Sequence, residues 1–137
     1  MKKLMLIGVI VLVYIYAGPG KETGSTAAPK APESPCKADW TQCADKTDLM
    51  KNYSGMPKAM IACKFAAINL ASYGSPEFPW IPFRMILDTD YKTDGIAVLG
   101  EPDAKFQNGF GAMVRSRVIC QYNLRENKVV DVDIAPR

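Results

Sequence analysis

The cysteines of this chain constrain its fold most, because all four of them follow a short apolar segment at the N-terminus. Lys2 and Lys3 precede an almost unbroken apolar run from Leu4 to Ala17, an arrangement typical of an export signal or a membrane anchor. The rest of the chain is therefore expected in an oxidising compartment, periplasmic or extracellular, where cysteines pair. The candidates for pairing are Cys36, Cys43, Cys63 and Cys120.

Residues 1–17 have two alternative fates. The apolar run is 14 residues long, shorter than the roughly 20 residues of a spanning helix and within the 7–15 of a signal peptide. Cleavage after Ala17 would place Ile15 at the −3 position, where signal peptidase prefers a smaller residue. Both fates therefore stay open: a cleaved signal peptide, or an anchor that holds the protein in the inner membrane through residues 4–17.

The remaining chain divides into a linker and one domain. Residues 18–35 contain four prolines and no Val, Ile, Leu or aromatic residue, so we expect a flexible linker that buries no apolar surface. Residues 36–137 are long enough for a single globular domain with one core.

Charge and histidine content narrow the classes of function. Residues 36–137 carry 13 basic and 12 acidic side chains, a net charge of +1, without basic clusters; nucleic acid is therefore not an expected partner. The chain has no histidine, and so lacks the most frequent general base and transition-metal ligand. We expect a protein that is not an enzyme, with no catalytic residue, no metal and no cofactor.

The N-terminal part of the domain predicts helices. Asp45 or Thr47 is placed to cap a short helix, and a second helix is predicted from Pro57 to Tyr73, ending at Gly74. Apolar side chains recur on one face of this second helix, which predicts a helix buried against the core. They are Met60, Cys63, Ala67 and Leu70, widened by Ile61, Phe65 and Ile68.

The C-terminal third predicts antiparallel strands. Strands are predicted over 96–99, 104–107, 110–124 and 128–134, with Asn108-Gly109 as a two-residue hairpin turn. Alternation places Cys120 on the core face of the long strand. On the solvent face, cross-strand charge pairs are predicted between Arg115 or Arg117 and Asp131 or Asp133. The predicted fold is α+β, with N-terminal helices packed on one face of a three- or four-stranded antiparallel meander stapled by disulfides.

Four cysteines allow three pairings. Cys63 lies on the predicted core face of the helix and Cys120 on that of the long strand, so we predict a Cys63–Cys120 bridge, which leaves Cys36–Cys43 to close a short loop. The alternatives are a redox pair or a zinc site. Both usually use Cys-x-x-Cys, a spacing that this sequence lacks.

Aromatic residues beside proline and glycine form the candidate binding patch. Aromatic side chains on a rigid backbone are good contact anchors, because little conformational entropy is lost on binding. The alternative is that these side chains cap the core. The patch consists of Phe78, Trp80 and Phe83 in a proline-rich segment, with Asn108 and Phe110 at the predicted hairpin.

A run of acidic residues faintly matches the start of a calcium-binding loop. Asp88, Asp90 and Asp94 have the spacing of ligands, but the loop lacks the Gly at position six and the Glu at position twelve of an EF-hand. We therefore predict a solvated turn here.

The chain resembles a group of small exported proteins of proteobacteria and their mobile elements over about residues 36–137. The resemblance implies a compact disulfide-bonded domain and implies no activity or catalytic residue. The residues that carry it are the run from Phe106 to Val114, then Val118, Cys120, Tyr122 and Leu124, with Ala62-Cys63-Lys64, Pro79-Trp80, Ile134 and Pro136.

These observations together predict an extracytoplasmic protein-binding module whose partner is a protein of the cell envelope. An inhibitor, an immunity factor and an exclusion factor all have this character. The alternatives are an accessory subunit of an envelope or secretion assembly and, with less support, an envelope hydrolase that uses two carboxylates.

Overall fold

The domain is built from N-terminal helices and a four-stranded antiparallel sheet. The computed structural model describes residues 28–87 and 89–137; the predicted leader, much of the predicted linker and Asp88 lie outside these residues. Residues 32–137 form one compact unit, and the α+β prediction is confirmed. Its elements are α1 (Lys46–Asn52), α2 (Met56–Asn69), β1 (Met85–Ile86), α3 (Tyr91–Asp94), β2 (Ile96–Gln107), β3 (Met113–Asn123) and β4 (Lys128–Pro136), with 3₁₀ turns at Pro35–Lys37 and Trp40–Gln42.

The sheet has the order β1-β2-β3-β4, each strand antiparallel to its neighbour. Its core face is marked by the row Leu99, Cys120 and Val132, which are opposite one another in the register. α2 packs against β3 and β4 on this face. The helices therefore lie on one face of a meander, as the alternation of the strands predicts.

The predicted charge pairs on the other face do not form. The register places Ala135 opposite Arg117 and Ile119 opposite Asp133, so the expected partners are not aligned across β3 and β4. Arg115 instead pairs with Asp103 of β2, at 3.6 Å. A bulge in β4, where Tyr122 pairs with Val129 and Gln121 with Asp131, shifts the register away from the simple alternation.

α1 begins at an aspartate cap. The side chain of Asp45 accepts hydrogen bonds from the backbone N–H groups of Thr47 and Asp48, both at 2.8 Å. These N–H groups have no partner inside the helix, and an Asp in the N-cap position supplies one. Asp45 is thus the capping residue of the two candidates.

Both predicted disulfides are confirmed. Cys36 is bonded to Cys43, and Cys63 of α2 to Cys120 of β3, across sequence separations of 7 and 57 residues. Two disulfides indicate an oxidising, extracytoplasmic environment. In the ranges 28–87 and 89–137, no helix combines the length and apolar character needed to cross a membrane.

α2 buries a narrower face than predicted. It buries the small side chains of Ala59, Cys63 and Ala67, whereas Ile61 and Phe65 are 53% and 60% exposed. The disulfide holds the Cα atoms of Cys63 and Cys120 at 5.8 Å, a distance at which only small side chains fit between helix and strand. The predicted core face is confirmed at Cys63 and Ala67, and Met60 packs against the core. The prediction is wrong at Ile61, Phe65 and Leu70, which are exposed. The helix ends at Asn69, before the predicted Gly74.

The buried face of α2 predicts a small effect on stability for one substitution in this helix and a large effect for another. Phe65→Ser should change the free energy of unfolding by less than about 0.5 kcal/mol, because the side chain is exposed. Ala67→Leu should lower it by about 1–3 kcal/mol, because the added atoms overpack a closely packed interface. Urea unfolding followed by circular dichroism measures both. Equal losses in the two variants would contradict the orientation.

Candidate functional site

Two aromatic side chains of the predicted patch are almost fully exposed. Trp80 is 96% and Phe110 98% exposed, values rare for residues that usually bury large apolar areas. Phe83 is completely buried and Phe78 half-buried, so these two support the surface from below. The patch is therefore divided between exposed contact residues and a buried base.

The base is a cluster of three rings under the Pro79–Phe83 segment. Phe78 stacks on Phe83 with ring centroids 6.1 Å apart, and its edge meets Phe106 of β2 at 5.9 Å. Phe83 has a φ of 57°, a left-handed conformation that costs a non-glycine residue about 1–3 kcal/mol. The reversal at Phe83 leaves its ring in the core while Trp80, three residues earlier, stays in solvent.

A buried carboxylate fixes this turn. Glu101 of β2 is 3% exposed; one of its oxygens accepts the N–H of Phe83 and the other accepts the N–H of Asp103, both at 2.8 Å. Pro102 has no N–H to donate to the sheet, and the β2–β3 register shifts between Glu101 and Ala104. Glu101 therefore joins a strained turn to a strand bulge.

An open groove of about 580 Å³ lies between the turn that ends at Phe83 and the bulge at Glu101–Asp103. It lies beside the stretch of β2 between Gly100, which pairs with β1, and Lys105, which forms a bridge to Glu77. We call it the Trp80 groove. Its lining residues are Pro79, Trp80, Ile81, Arg84, Met85, Glu101, Pro102 and Asp103.

Three charged side chains line the Trp80 groove, and two of them are compensated. Both oxygens of Glu101 accept backbone N–H groups, and the carboxylate of Asp103 lies 3.6 Å from the guanidinium of Arg115. Arg84 is exposed and has no hydrogen bond or ion pair with any described residue. The groove therefore offers apolar walls and one free cation, while its two carboxylates have structural roles.

Phe110 is presented by a rigid five-residue loop, Asn108–Ala112. The side chain of Asn108 accepts the N–H groups of Phe110 and Ala112, at 3.0 and 2.9 Å, and its backbone N–H donates to the carbonyl of Ala112. Gly111 has a φ of 84°, the left-handed conformation that glycine adopts at little cost. The predicted two-residue Asn108-Gly109 turn is therefore wrong, because the Asn108 side chain stabilises a wider loop.

Asn108→Ala should release this loop. The variant loses two hydrogen bonds to backbone N–H groups, and we expect the free energy of unfolding to fall by about 1–2 kcal/mol. Amide exchange at Phe110 and Ala112 should accelerate, as measured by hydrogen–deuterium exchange. Asn108→Asp, which keeps the acceptor, is the control; exchange as fast in Asn108→Asp as in Asn108→Ala would contradict the role of the acceptor.

Trp80 and Phe110 do not belong to one site. Asp103 lines the Trp80 groove, and Asn108 begins the loop of Phe110, five residues further along the chain. Five residues of extended strand span roughly 17 Å. Asn108 and Phe110 are not among the residues that line the groove. Phe110 is therefore a separate exposed aromatic residue, on the loop that follows β2.

The other candidate chemistry has structural explanations. The sulfurs of Cys36 and Cys43 and a carboxylate oxygen of Asp48 lie within 4.8 Å of one another, but the sulfurs are bonded to each other and offer no thiolate. Hydrogen bonds from the Asn52 side chain and from the Ala44 N–H hold the pKa of Asp48 below its ordinary value. The carboxylates of Asp90 and Asp94 accept local hydrogen bonds around α3, from Thr93 and Ile96.

Two buried tyrosines carry hydroxyl groups without a hydrogen-bond partner among the described residues. They are Tyr91 and Tyr122, and burial raises the pKa of both. Both rings belong to the core, and neither lines the Trp80 groove. Like any tyrosine they are un-ionised at neutral pH, so they add apolar packing and no charge.

Sequence reasoning missed Arg84 and Glu101. A single Glu in a strand with a following Pro carries no pattern that indicates burial, since strand glutamates usually face solvent. The one available signal is Glu101-Pro102-Asp103 itself, because a proline inside a strand indicates a bulge whose N–H groups need other acceptors.

Comparison with models of protein families, with curated proteins and with solved structures finds no match to this chain.

Proposed function

We propose that this protein is an extracytoplasmic protein-binding module of the cell envelope that acts without catalysis. Inhibitors, immunity factors and exclusion factors work in this way. The observation that supports the proposal most is the exposure of Trp80 and Phe110 on loops that hydrogen bonds and prolines hold rigid. Tryptophan is enriched among residues that dominate interface energies, and a rigid frame reduces the entropy lost on binding.

The N-terminal sequence supports the location in this proposal. Residues 1–17 have the composition of an export signal or anchor, and residues 18–35 that of a spacer. A retained anchor would hold the binding domain at the outer surface of the inner membrane, and a cleaved signal would release it into the periplasm.

Comparative co-purification tests the proposal. The tagged full chain is recovered from envelope extracts as wild type, as the double variant Trp80→Ser and Phe110→Ser, and as a control variant, Lys51→Ser, with a substitution on an exposed residue of α1. We expect one protein to be recovered with the wild type and the control, and its yield to fall at least tenfold with the double variant. Equal recovery with all three forms would contradict the proposal.

The outer face of α2 favours a second candidate, an accessory subunit of an envelope assembly. Ile61 and Phe65 expose apolar area on a helix whose other face is already packed, and large exposed apolar areas often mark interfaces. After gentle detergent extraction, this candidate predicts elution with a large complex that Phe65→Ser disrupts. Elution of the wild type as a monomer would contradict it.

A further inference from the structure

The charge left free at the Trp80 groove indicates the chemistry of its ligand. We infer that the groove binds an extended protein segment in which a carboxylate lies next to a large apolar side chain. The carboxylate meets the guanidinium of Arg84, and the apolar side chain packs on Trp80. This inference rests on the proposed function and specifies the partner of the same surface.

Charge complementarity supports the carboxylate. Arg84 is the one lining cation of the groove, and it has no partner among residues 28–87 and 89–137. Neither lining carboxylate is paired with Arg84, because Glu101 accepts backbone N–H groups and Asp103 is paired with Arg115. A guanidinium binds a carboxylate through two parallel hydrogen bonds, so an acidic residue is the complementary group.

The apolar walls support a large hydrophobic neighbour for that acid. Trp80 is 96% exposed, and Ile81 and Met85 are also exposed on the groove. Packing a leucine-sized or aromatic side chain between Trp80 and Met85 would remove apolar area from water on both partners. The backbone at Trp80 loses little conformational entropy on binding, because Pro79 precedes it and Phe83 is buried in the core.

The length of the groove supports an extended segment. Its lining residues on β2 are Glu101, Pro102 and Asp103, three extended residues that measure roughly 10 Å. That length holds an acid with one apolar neighbour on each side, and the groove is open at the surface.

A protein segment is favoured over a membrane surface. One unpaired basic residue attracts an anionic bilayer by only about 1 kcal/mol, and the nearby Lys105 and Arg115 are already paired with Glu77 and Asp103.

Peptide selection tests the inference with the oxidised full chain. Random-sequence peptides are selected on the wild type, on Arg84→Glu and on Lys58→Glu, a control that makes the same charge change at an exposed position of α2. Trp80 fluorescence, isolated by subtracting the spectrum of Trp80→Phe, reports binding in the groove. Vesicles of phosphatidylglycerol, and of phosphatidylcholine as a neutral control, serve as the membrane probes.

The inference predicts that peptides selected on the wild type and on Lys58→Glu contain an acid beside an aromatic or large aliphatic residue. These peptides should change Trp80 fluorescence, and Arg84→Glu should weaken them by about 10- to 100-fold. Selected peptides without enriched acids, or equal binding to Arg84→Glu, would overturn the inference but leave the proposed function intact. Failure to select any peptide would overturn the inference, as would binding of phosphatidylglycerol vesicles that changes Trp80 fluorescence when peptides do not. The proposed function would fail with it only if co-purification were also unaffected by Trp80→Ser and Phe110→Ser.

Discussion

The double substitution Cys63→Ala and Cys120→Ala should lower the free energy of unfolding by about 4 kcal/mol. The bridge closes a loop across 57 residues, and the chain-entropy treatment of disulfides assigns a larger stabilisation to a longer loop. The bridge also joins α2 directly to β3. A domain of this size is usually stable by only about 5–15 kcal/mol.

Urea unfolding of the folded variants, followed by circular dichroism, measures this loss. The second disulfide provides a matched control, because Cys36→Ala with Cys43→Ala opens a loop across only 7 residues. The same treatment predicts a loss of about 2 kcal/mol for that pair. A loss from the short-loop pair as large as that from Cys63 and Cys120 would contradict the assignment of α2 stability to the long-range bridge.

Glu101→Met should be the most damaging single substitution at the Trp80 groove. Methionine has a similar length but no carboxylate, so the buried N–H of Phe83 and the part-buried N–H of Asp103 lose their acceptors. An unsatisfied buried donor costs about 1–3 kcal/mol and a lost hydrogen bond at a partly exposed group about 1 kcal/mol, so the expected loss of stability is about 2–4 kcal/mol. The strained conformation of Phe83 should relax as well.

Two further variants make this prediction specific. Glu101→Gln keeps one acceptor oxygen and should cost about 1–3 kcal/mol. Asp103→Asn removes an exposed charge whose pair with Arg115 lies at 3.6 Å, and should cost less than about 1 kcal/mol. Thermal and urea unfolding give the order of the three losses. If Asp103→Asn were as damaging as Glu101→Met, the loss would come from charge at the bulge and not from the buried acceptor.

The disulfide pairing and the strand faces could be predicted from the sequence. Strand residues alternate between two faces, so Cys120 had to share a face with Val118 and Tyr122, and all three are buried. Cys63 lay among apolar helix residues, and a helix beside a sheet faces it with that stripe. These rules are local, and tertiary contacts did not override them here.

The width of the buried face of α2 could not be predicted, because the helix is apolar on nearly all sides. The apolar pattern around Cys63 therefore extended without a break to the large residues Ile61 and Phe65. The short distance imposed by the disulfide leaves room only for small side chains, and it becomes visible only when the strand is placed beside the helix.

The exposed aromatic residues were predicted as a group, but their division into surface and base was not. Trp80 and Phe83 share a proline-rich segment with no periodic pattern, so the sequence does not indicate which ring is buried. The hydrogen bond from the N–H of Phe83 to Glu101 separates them. It connects residues 18 positions apart, beyond the reach of any local rule.

Site-specific crosslinking from Trp80 tests most directly the claim that this surface binds a protein. A photoreactive amino acid replaces Trp80 in the full chain inside cells, and the same residue at Lys51, exposed on α1, controls for random encounters. Envelope fractions are then resolved by mass and identified by mass spectrometry. We expect one envelope protein to be crosslinked from position 80 and not from position 51. No crosslink at position 80, or the same products from both positions, would contradict it.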